Sequence, residues 1–250
     1  MTSPTASEGR SGTFVSIVIP AHNEESRLGP TLDELARLLC DQSWDWEVRV
    51  VDDGSVDGTT DVAEQRARVE RRIVVQREPH RGKGGAVKAG MLAARGAYRF
   101  LCDADLSMPA RELPRFLPPR LVDFDVAIGT REGLGARRLG EPLRRHVLGR
   151  VFNHTVQRLV LAGTNDTQCG FKMFTAQAAE AIFPLVTIDG WAFDIEVLAI
   201  ARRRNFRIVE VPIEWHYRPE SQVSMLQDGW RMLRDVSRIR ARLARGMYDE

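Results

Sequence analysis

Two acidic segments each follow an apolar run that predicts a buried strand. The first contains Asp52 and Asp53, and the second contains Asp103 and Asp105. Because open α/β folds bind ligands in the crevice at the carboxyl ends of their parallel strands, we expect both segments to face such a crevice. An Asp-x-Asp pair in an extended segment places both carboxylates on one side of the backbone. Such a pair can hold Mg²⁺ or Mn²⁺ together with substrate phosphates, so the sequence predicts a metal-dependent enzyme that acts on a nucleotide-linked substrate.

Turn formation is the alternative role for the first segment, because Asp-Gly is a common turn signal. The additional Asp57 and Thr59 exceed what one turn requires, and we therefore favour a functional role. Further along, Gly82-Lys83-Gly84-Gly85 opens a predicted helix and offers backbone N–H groups to an anion. This run lacks the spacing of a P-loop, which disfavours a P-loop ATPase.

The elements that must position these residues follow from the hydrophobic pattern. Short apolar runs alternate with helical patterns, which predicts a single α/β domain with a mostly parallel sheet flanked by helices. The predicted strands are 15–19, 47–51, 73–76, 98–102, 126–129 and 207–211. The predicted helices are 27–40, 59–70, 85–95, 142–162, 193–204 and 227–245, with a connector through Gly170. We expect Asn23 to cap the first helix.

The composition is that of an ordinary globular protein, with 250 residues, 43% hydrophobic content and a formal net charge of +2. This charge does not suggest a nucleic-acid-binding protein. The three cysteines are too scattered for a disulfide framework or a zinc site, and they indicate a reducing compartment. No apolar run approaches the roughly 18 residues of a membrane-spanning helix. We therefore expect a cytoplasmic protein whose membrane contact is peripheral.

Three motifs carry a resemblance to a known family: 81–87 (RGKGGAV), 166–172 (DTQCGFK) and 191–196 (WAFDIE). On these motifs the chain resembles family 2 glycosyltransferases of the GT-A fold, and within them the dolichyl-phosphate glucosyltransferase branch, a sister of the dolichyl-phosphate mannosyltransferases. The resemblance implies a Rossmann-like domain and inverting transfer of a hexose to a polyprenyl phosphate at the cytoplasmic membrane face. UDP-glucose is the expected nucleotide-sugar donor, and Mg²⁺ or Mn²⁺ is the expected cofactor.

Three alternatives stay open at this point. Two are enzymes, namely a sister that uses GDP-mannose and a family member with a non-lipid acceptor. The third is a non-catalytic nucleotide-sugar-binding protein that has kept the fold. The intact Asp103-Ala104-Asp105 motif argues against the third.

The resemblance also implies roles for individual residues. It assigns the base and ribose to Pro20, Ala21, Glu24 and Asp53, the diphosphate and metal to Asp103 and Asp105, and the acceptor phosphate to Arg131 and Arg145. Ala104, Lys83, Gln168 and Arg218 are further expected donor contacts; Arg218 stands near Gln222, where relatives usually carry Lys. Asp194 is an expected catalytic residue that either removes a proton, holds a sugar hydroxyl or orients a basic residue. Glu196 could equally be a structural partner of an arginine.

Arginines are concentrated in two segments of the second half. Between residues 131 and 150, six arginines stand against two glutamates, a composition that suits a phosphate. We nevertheless expect Arg137 and Arg138 to belong to a solvated loop. In the last helix, Met232, Val236, Ile239 and Leu243 form an apolar stripe beside a row of arginines. The apolar stripe suits packing on the core, and the arginines, among them Arg238, Arg242 and Arg245, would also suit an anionic membrane surface.

The predicted organisation has three parts. Residues 1–12 form a disordered tail, and 13–226 form the catalytic domain. That domain has a nucleotide-binding half, 13–130, and an acceptor half, 131–226. Residues 227–250 form the basic amphipathic helix.

Overall fold

The computed structural model describes residues 11–218 and 227–249. Its strands are β1 (Ser11–Ala21), β2 (Trp44–Asp53), β3 (Ile73–Glu78), β4 (Tyr98–Leu101), β5 (Val126–Thr130), β6 (Arg137–Leu139), β7 (Lys172–Thr175), β8 (Ile208–Pro212) and β9 (Glu214–His216). Its α-helices are α1 (Glu25–Cys40), α2 (Thr59–Val69), α3 (Lys83–Ala93), α4 (Leu143–Leu159), α5 (Ala176–Ile182), α6 (Phe193–Arg203) and α7 (Gln227–Ala244). Two short 3-10 helices cover Ala110–Phe116 and Phe183–Leu185.

Seven strands form one sheet in the order β3-β2-β1-β4-β7-β5-β8. All neighbouring pairs are parallel except those of β7, which runs antiparallel to both β4 and β5. Strands β6 and β9 form a separate parallel pair. This mostly parallel sheet, flanked by helices in a single domain, confirms the predicted fold class.

Helices cover both faces of the sheet because each carries an apolar stripe at helical spacing. On one face, α1 buries Leu28, Leu32, Leu35 and Leu39 against the sheet. On the other face, α3, α5, α6 and α7 surround a second core. The last helix buries Met232, Val236 and Ile239 in this second core, which is the core-packing alternative considered for its apolar stripe.

The second half contains elements that the sequence pattern did not predict: β6, β7, α5 and β9. The most important is β7, which replaces the expected connector and fills the middle of the sheet. It is only four residues long and begins with a buried lysine, so it lacks the apolar run that identifies a central strand.

The capping prediction for Asn23 is wrong. Helix α1 has Glu24 as its N-cap residue, without a side-chain cap. The Asn23 side chain instead accepts a hydrogen bond from the Val56 N–H, with Oδ1 and N 3.0 Å apart, and its backbone has a φ of 55°. Asn23 therefore ties the loop after β1 to the loop after β2.

Two of the organisational predictions reach beyond the described residues. Residues 1–10 of the expected tail lie outside them, and β1 begins at Ser11. The segment with Gln222 also lies outside them. Among the described residues, no helix is both long and apolar enough to span a bilayer.

Candidate active site

An open cleft of about 1200 Å³ lies at the carboxyl ends of β1, β2 and β4. The parallel pairing of these strands brings the segments that follow them to one edge of the sheet. The cleft brings together all thirteen residues that the sequence analysis selected: Pro20, Ala21, Glu24, Asp53, Lys83, Asp103, Ala104, Asp105, Arg131, Arg145, Gln168, Asp194 and Arg218.

One side of the cleft, which we call the acidic wall, is formed by Glu24, Asp53, Asp103 and Asp105. Burial raises the pKa of the Glu24 carboxyl, Arg27 opposes this shift, and the charges of Asp105 and Asp103 add to it. The negative charges of Asp103 and Asp105 therefore act on the Glu24 carboxyl within the cleft. Such a concentration of negative charge favours a bound cation.

Backbone donors hold Asp53 in place within the acidic wall. Its Oδ1 accepts from the Arg81 N–H and its Oδ2 from the Gly82 N–H, both at 2.9 Å. His80 Nδ1 lies 2.9 Å from Oδ2 as well. The segment that leads into α3 therefore fixes the Asp53 carboxylate, which faces the cleft in one orientation.

His22 and His80 form a stacked pair beside Asp53, with ring centroids 4.2 Å apart and planes 24° apart. Ligand atoms of these three residues lie within 4.8 Å of one another, as a metal site requires. However, Nδ1 of His22 and Nδ1 of His80 lie 2.9 and 3.0 Å from the Asp53 backbone carbonyl and donate to it, so neither nitrogen offers a lone pair to an ion in this arrangement. The observed arrangement instead offers a flat aromatic edge next to an anchored carboxylate.

The other acids of the first segment serve the turn itself. Asp52 accepts from the Ser55 N–H at 3.0 Å and from the Thr60 hydroxyl. Asp57 accepts from the N–H and the hydroxyl of Thr59, where α2 begins. Turn formation therefore accounts for Asp52 and Asp57, whereas Asp53 lines the cleft.

The glycine run at the start of α3 does not form an open anion site, and that expectation is wrong. The N–H groups of Gly84 and Gly85 both donate to the Asp189 carbonyl, at 2.7 and 3.4 Å. A Cβ on Gly84 would lie 2.3 Å from the carbonyl oxygen of Ile188. The glycines are needed because the loop at 187–190 packs directly on this backbone.

Opposite charges alternate from the cleft into the core behind it. Lys83 Nζ lies 2.6 Å from Asp103 Oδ1, and Lys172 Nζ lies 2.6 Å from Asp194 Oδ1. Lys172 is fully buried and also donates to the Cys169 carbonyl. Burial raises the pKa of Asp194, while Lys172 and Lys83 oppose that shift. The two lysines and two aspartates form one coupled group.

Asp103 and Asp105 do not lie in an extended strand, contrary to the geometry from which the metal pair was predicted. Strand β4 ends at Leu101, and Ala104 and Asp105 lie in a turn. Asp105 Oδ1 accepts from the Ser107 N–H at 2.9 Å. Asp103 Oδ1 is buried against the Lys83 ammonium, 2.6 Å away. The neighbouring carboxylates of Asp103 and Asp105, whose charges both raise the pKa of Glu24, offer the oxygen ligands that suit a hard cation such as Mg²⁺ or Mn²⁺.

Gly170 makes room for the Asp103 carboxylate. A Cβ at position 170 would lie 1.9 Å from Asp103 Oδ2, a distance that no side chain can occupy. The contact arises because β7 pairs with β4, with Lys172 directly opposite Leu101. The antiparallel strand therefore brings Gly170 and Lys172 to the acidic wall.

A second part of the cleft lining, which we call the arginine wall, contains Arg131, Arg138, Arg144 and Arg145. Arg131 makes a forked ion pair with Asp166, with Nε–Oδ2 at 2.6 Å and Nη2–Oδ1 at 2.8 Å. Burial by itself raises the pKa of Asp166, but the charge and hydrogen bonds of Arg131 outweigh it and lower that pKa to about 2. Nη1 of Arg131 takes no part in this fork.

Arg138 is not a solvated residue, contrary to the expectation for this loop. It pairs with Glu132 at 2.5 Å and with Glu141 at 2.6 Å, and it donates from Nε to the Arg131 carbonyl. Its guanidinium also lies 5.9 Å from the centroid of the Trp215 ring. Arg137, in contrast, is exposed as expected.

The remaining cleft residues lie around the arginine wall. The Arg145 guanidinium lies 5.4 Å from the centroid of the Tyr217 ring. Gln168 is half-buried, and its N–H lies 3.4 Å from Asp166 Oδ1. Arg218 is exposed at the end of the described segment 11–218. All three residues line the same cleft.

Glu196 does not pair with an arginine among the described residues. Its buried carboxylate accepts from the Thr187 N–H and hydroxyl, the Ile188 N–H and the Tyr248 hydroxyl, at 2.7–2.8 Å. The same loop continues to Asp189, whose carbonyl accepts from Gly84. Glu196 therefore connects the C-terminal segment to the backbone that carries Lys83.

Sequence reasoning missed Lys172 and Asp166 as members of the site. A signal was present for Lys172, because a lysine between Phe171 and Met173 in an apolar run needs a buried partner. For Asp166, the only signal was its place in a family motif. Its partner lies 35 residues away, and no local pattern pairs the two.

Comparisons with known proteins agree with this arrangement. Residues 16–183 match the family model described as glycosyl transferase family 2. The chain is 34% identical to the dolichyl-phosphate beta-glucosyltransferase of Dictyostelium discoideum, over 94% of this chain and 76% of that protein. It is 33% identical to the human protein of the same name, over 94% of this chain and 77% of the relative.

Solved structures show the same fold at lower identity. Glucosyl-3-phosphoglycerate synthase from Mycobacterium tuberculosis, in complex with Mn²⁺, UDP-glucose and phosphoglyceric acid, superposes with a TM-score of 0.66 at 20% identity. The match covers 91% of this chain and 78% of the synthase. Mannosyl-3-phosphoglycerate synthase from Rubrobacter xylanophilus superposes with a TM-score of 0.68 at 20% identity, over 93% of this chain and 74% of that one. The family match and the identity to the named relatives place this chain in glycosyltransferase family 2.

Proposed function

We propose that this protein transfers glucose from UDP-glucose to a polyprenyl phosphate of the dolichyl type, with inversion at the anomeric carbon. The observation that carries the proposal is the cleft itself, which is lined by an acidic wall and an arginine wall together with Lys83 and Asp194. A nucleotide-sugar donor with a metal suits the first wall, and a phosphate acceptor suits the second. The relatives named dolichyl-phosphate beta-glucosyltransferase support this choice of donor sugar and acceptor.

The donor is held by the acidic wall. Pro20, Ala21 and Glu24, together with the anchored Asp53, bind the base and ribose at the ends of β1 and β2. Ala104, Gln168 and Arg218 line the same cleft and make the remaining contacts to the donor. Because the Asp53 carboxylate is already fixed by backbone donors, its orientation requires no rearrangement when the nucleotide binds.

Loss of the nucleoside diphosphate requires positive charge at the leaving group. Asp103 and Asp105 would hold Mg²⁺ or Mn²⁺, which acts as a Lewis acid on the diphosphate when bound. Lys83 supplies a second positive charge at the same place. Because its ammonium lies against Asp103 in the protein alone, we expect it to turn towards the diphosphate when a cation occupies the carboxylates.

The acceptor requires positioning more than deprotonation, because a phosphate oxygen is already anionic. Arg131 and Arg145 orient it from the arginine wall. Asp194 is committed to Lys172 at 2.6 Å and so does not need to act as a base. Of its three open roles, we therefore assign Asp194 to orienting Lys172 and holding a sugar hydroxyl.

The protein would work at the cytoplasmic face of a membrane as a peripheral protein, because its acceptor is a lipid. A panel of nucleotide sugars tested with a short, water-soluble prenyl phosphate, with products identified by mass, tests the activity. We expect a glucosyl phosphate lipid from UDP-glucose. A mannosyl product from GDP-mannose, or transfer only to a small phosphorylated acceptor, would overturn the proposed substrates. Nucleotide binding without any product would overturn the enzymatic assignment.

A further inference from the structure

Helix α4 presents its apolar side chains to solvent instead of to the core. Val156 is its only fully buried residue within the described structure. The exposed fractions are 76% for Leu143, 50% for Val147, 54% for Leu148 and 61% for Val151. Positions 143, 147 and 151 are four residues apart, so they form one stripe along the outer surface. Surface helices usually show the reverse pattern, with the apolar stripe on the core.

Helix α7 packs beside α4 and adds an aromatic side chain to the exposed surface. Trp230, in its first turn, is 78% exposed, although the apolar stripe of the same helix is buried. Tryptophan prefers the boundary between water and hydrocarbon, because its ring is apolar and its N–H is polar. We call Leu143, Val147, Leu148, Val151 and Trp230 together the docking face.

The charge of α4 indicates which kind of partner covers the docking face. The helix contains four arginines and neither Asp nor Glu. Arg144 and Arg158 are exposed, and Arg158 lies on the same outer side as the apolar stripe. A helix that carries apolar side chains among arginines fits the surface of an anionic bilayer, where each nearby arginine contributes roughly 1 kcal/mol. A neutral protein partner would not complement the exposed charges of Arg144 and Arg158.

The docking face borders the cleft. Leu148 belongs to both, and Arg144 and Arg145 line the cleft from the same helix. We propose that α4 and Trp230 seat the mouth of the cleft on an anionic lipid bilayer, so that a lipid-linked phosphate enters directly beside the arginine wall. The inference rests on the proposed function for its lipid acceptor. It moves the membrane contact from the arginines of α7, where the sequence pattern placed it, to α4.

Vesicle sedimentation of the full chain tests the docking face. The probe is vesicles of phosphatidylcholine with phosphatidylglycerol, compared with vesicles of phosphatidylcholine alone. The variant is Leu143→Gln/Val147→Gln/Val151→Gln, which changes exposed residues that do not line the cleft. We expect at least about a 10-fold loss of binding to the anionic vesicles, because the apolar area that enters the bilayer is lost.

A matched control changes three exposed valines elsewhere, Val56→Gln/Val69→Gln/Val122→Gln. We expect this control to bind vesicles like the wild type. A second readout is the vesicle-dependent change in tryptophan fluorescence, which Trp230→Phe should abolish. Equal vesicle binding by wild type and the α4 variant would overturn the proposal.

Two further measurements distinguish membrane docking from a contact between two copies of the chain and from damage to the cleft. Analytical ultracentrifugation tests for a dimer. If the wild type is a dimer, the α4 variant is a monomer and vesicle binding is unchanged, the face joins two copies and the proposal is wrong.

Turnover of a short, water-soluble prenyl phosphate should be the same in wild type and the α4 variant, whereas turnover of a long-chain acceptor in vesicles should fall with binding. Failure of the wild type on every prenyl phosphate would refute the proposed function, while the vesicle result would still decide the docking face.

Discussion

The two walls of the cleft hold their charged groups in different ways. In the acidic wall, backbone N–H groups fix two of the four carboxylates: Arg81 and Gly82 donate to Asp53, and Ser107 donates to Asp105. The other two pair with side chains, Glu24 with Arg27 and Asp103 with Lys83. In the arginine wall, side chains pair with side chains, as in the fork between Arg131 and Asp166. Backbone donors stay in place when a ligand arrives, whereas a side-chain pair can share its free donors or exchange partners.

This difference matches the two substrates that we propose. A nucleotide and its metal require fixed geometry at the leaving group, which a preorganised wall supplies at low reorganisation cost. A lipid phosphate reaches the site from a membrane surface in a range of orientations. Long arginine side chains that pair with another side chain can adjust to these orientations. We therefore expect substitutions in the fixed wall to have larger effects than substitutions in the exchangeable wall.

The largest effect should come from Asp105→Asn. The amide cannot neutralise a divalent cation, and we expect turnover to fall by at least about 10²–10³-fold with the fold retained. Steady-state kinetics and thermal unfolding measure the two quantities. Excess chelator should stop the wild type in the same assay; undiminished wild-type turnover in chelator would remove the metal from the acidic wall.

The next largest effect should come from Gly170→Ala. The new methyl group must displace the Asp103 carboxylate, and a displacement of about 1 Å can lower turnover about 10²-fold. We expect the free energy of unfolding to fall by about 1–3 kcal/mol as well, because the site is overpacked. Gly149→Ala is the matched control for stability, since a Cβ there meets nothing within 4 Å. Wild-type turnover in Gly170→Ala would show that the position of Asp103 is not fixed by β7.

A smaller and more selective effect is expected in the arginine wall. Arg131→Ala and Arg145→Ala should raise KM for the prenyl phosphate about 10-fold or more while leaving nucleotide affinity nearly unchanged, because each removes one charged contact to a phosphate. Isothermal titration with UDP and kinetics with varied acceptor separate the two effects. Arg137→Ala, an exposed neighbour on β6, serves as control. Loss of nucleotide affinity with unchanged acceptor KM would reverse the assignment of the two walls.

The last prediction lies outside turnover and concerns stability and its dependence on pH. The pKa of Asp166 is about 2 in the folded protein, below its ordinary value of 3.8. A lowered pKa contributes stability above pH 3.8 that is lost as the pH falls through about 2. Asp166→Asn should therefore lower the free energy of unfolding by about 2–3 kcal/mol between about pH 5 and pH 8. The difference from wild type, measured by urea unfolding, should shrink below about pH 4; a difference that is constant down to about pH 2 would contradict an ionised pair.

The sequence by itself determined the first half of the molecule. Strand ends at Ala21, Asp53 and Leu101 follow from apolar runs that stop at polar residues, and parallel pairing then brings the acids to one edge. This works because hydrophobic periodicity is a local property that each segment carries. The family motifs added residues of the second half, including Arg131 and Asp194, without their partners.

Only the tertiary structure decided which charges meet. Strand β7 enters the sheet antiparallel between β4 and β5, and this single choice places Gly170 against Asp103 and Lys172 against Asp194. It also decided which apolar stripe faces solvent: α7 buries its stripe, whereas α4 exposes most of its own. Both stripes show helical spacing in the sequence. Such spacing indicates that a helix has an apolar side, but it does not indicate whether that side faces the core or the solvent. Which helix can turn that side inward depends on the space left by the rest of the fold, because a closely packed core accepts only the side chains that fit it.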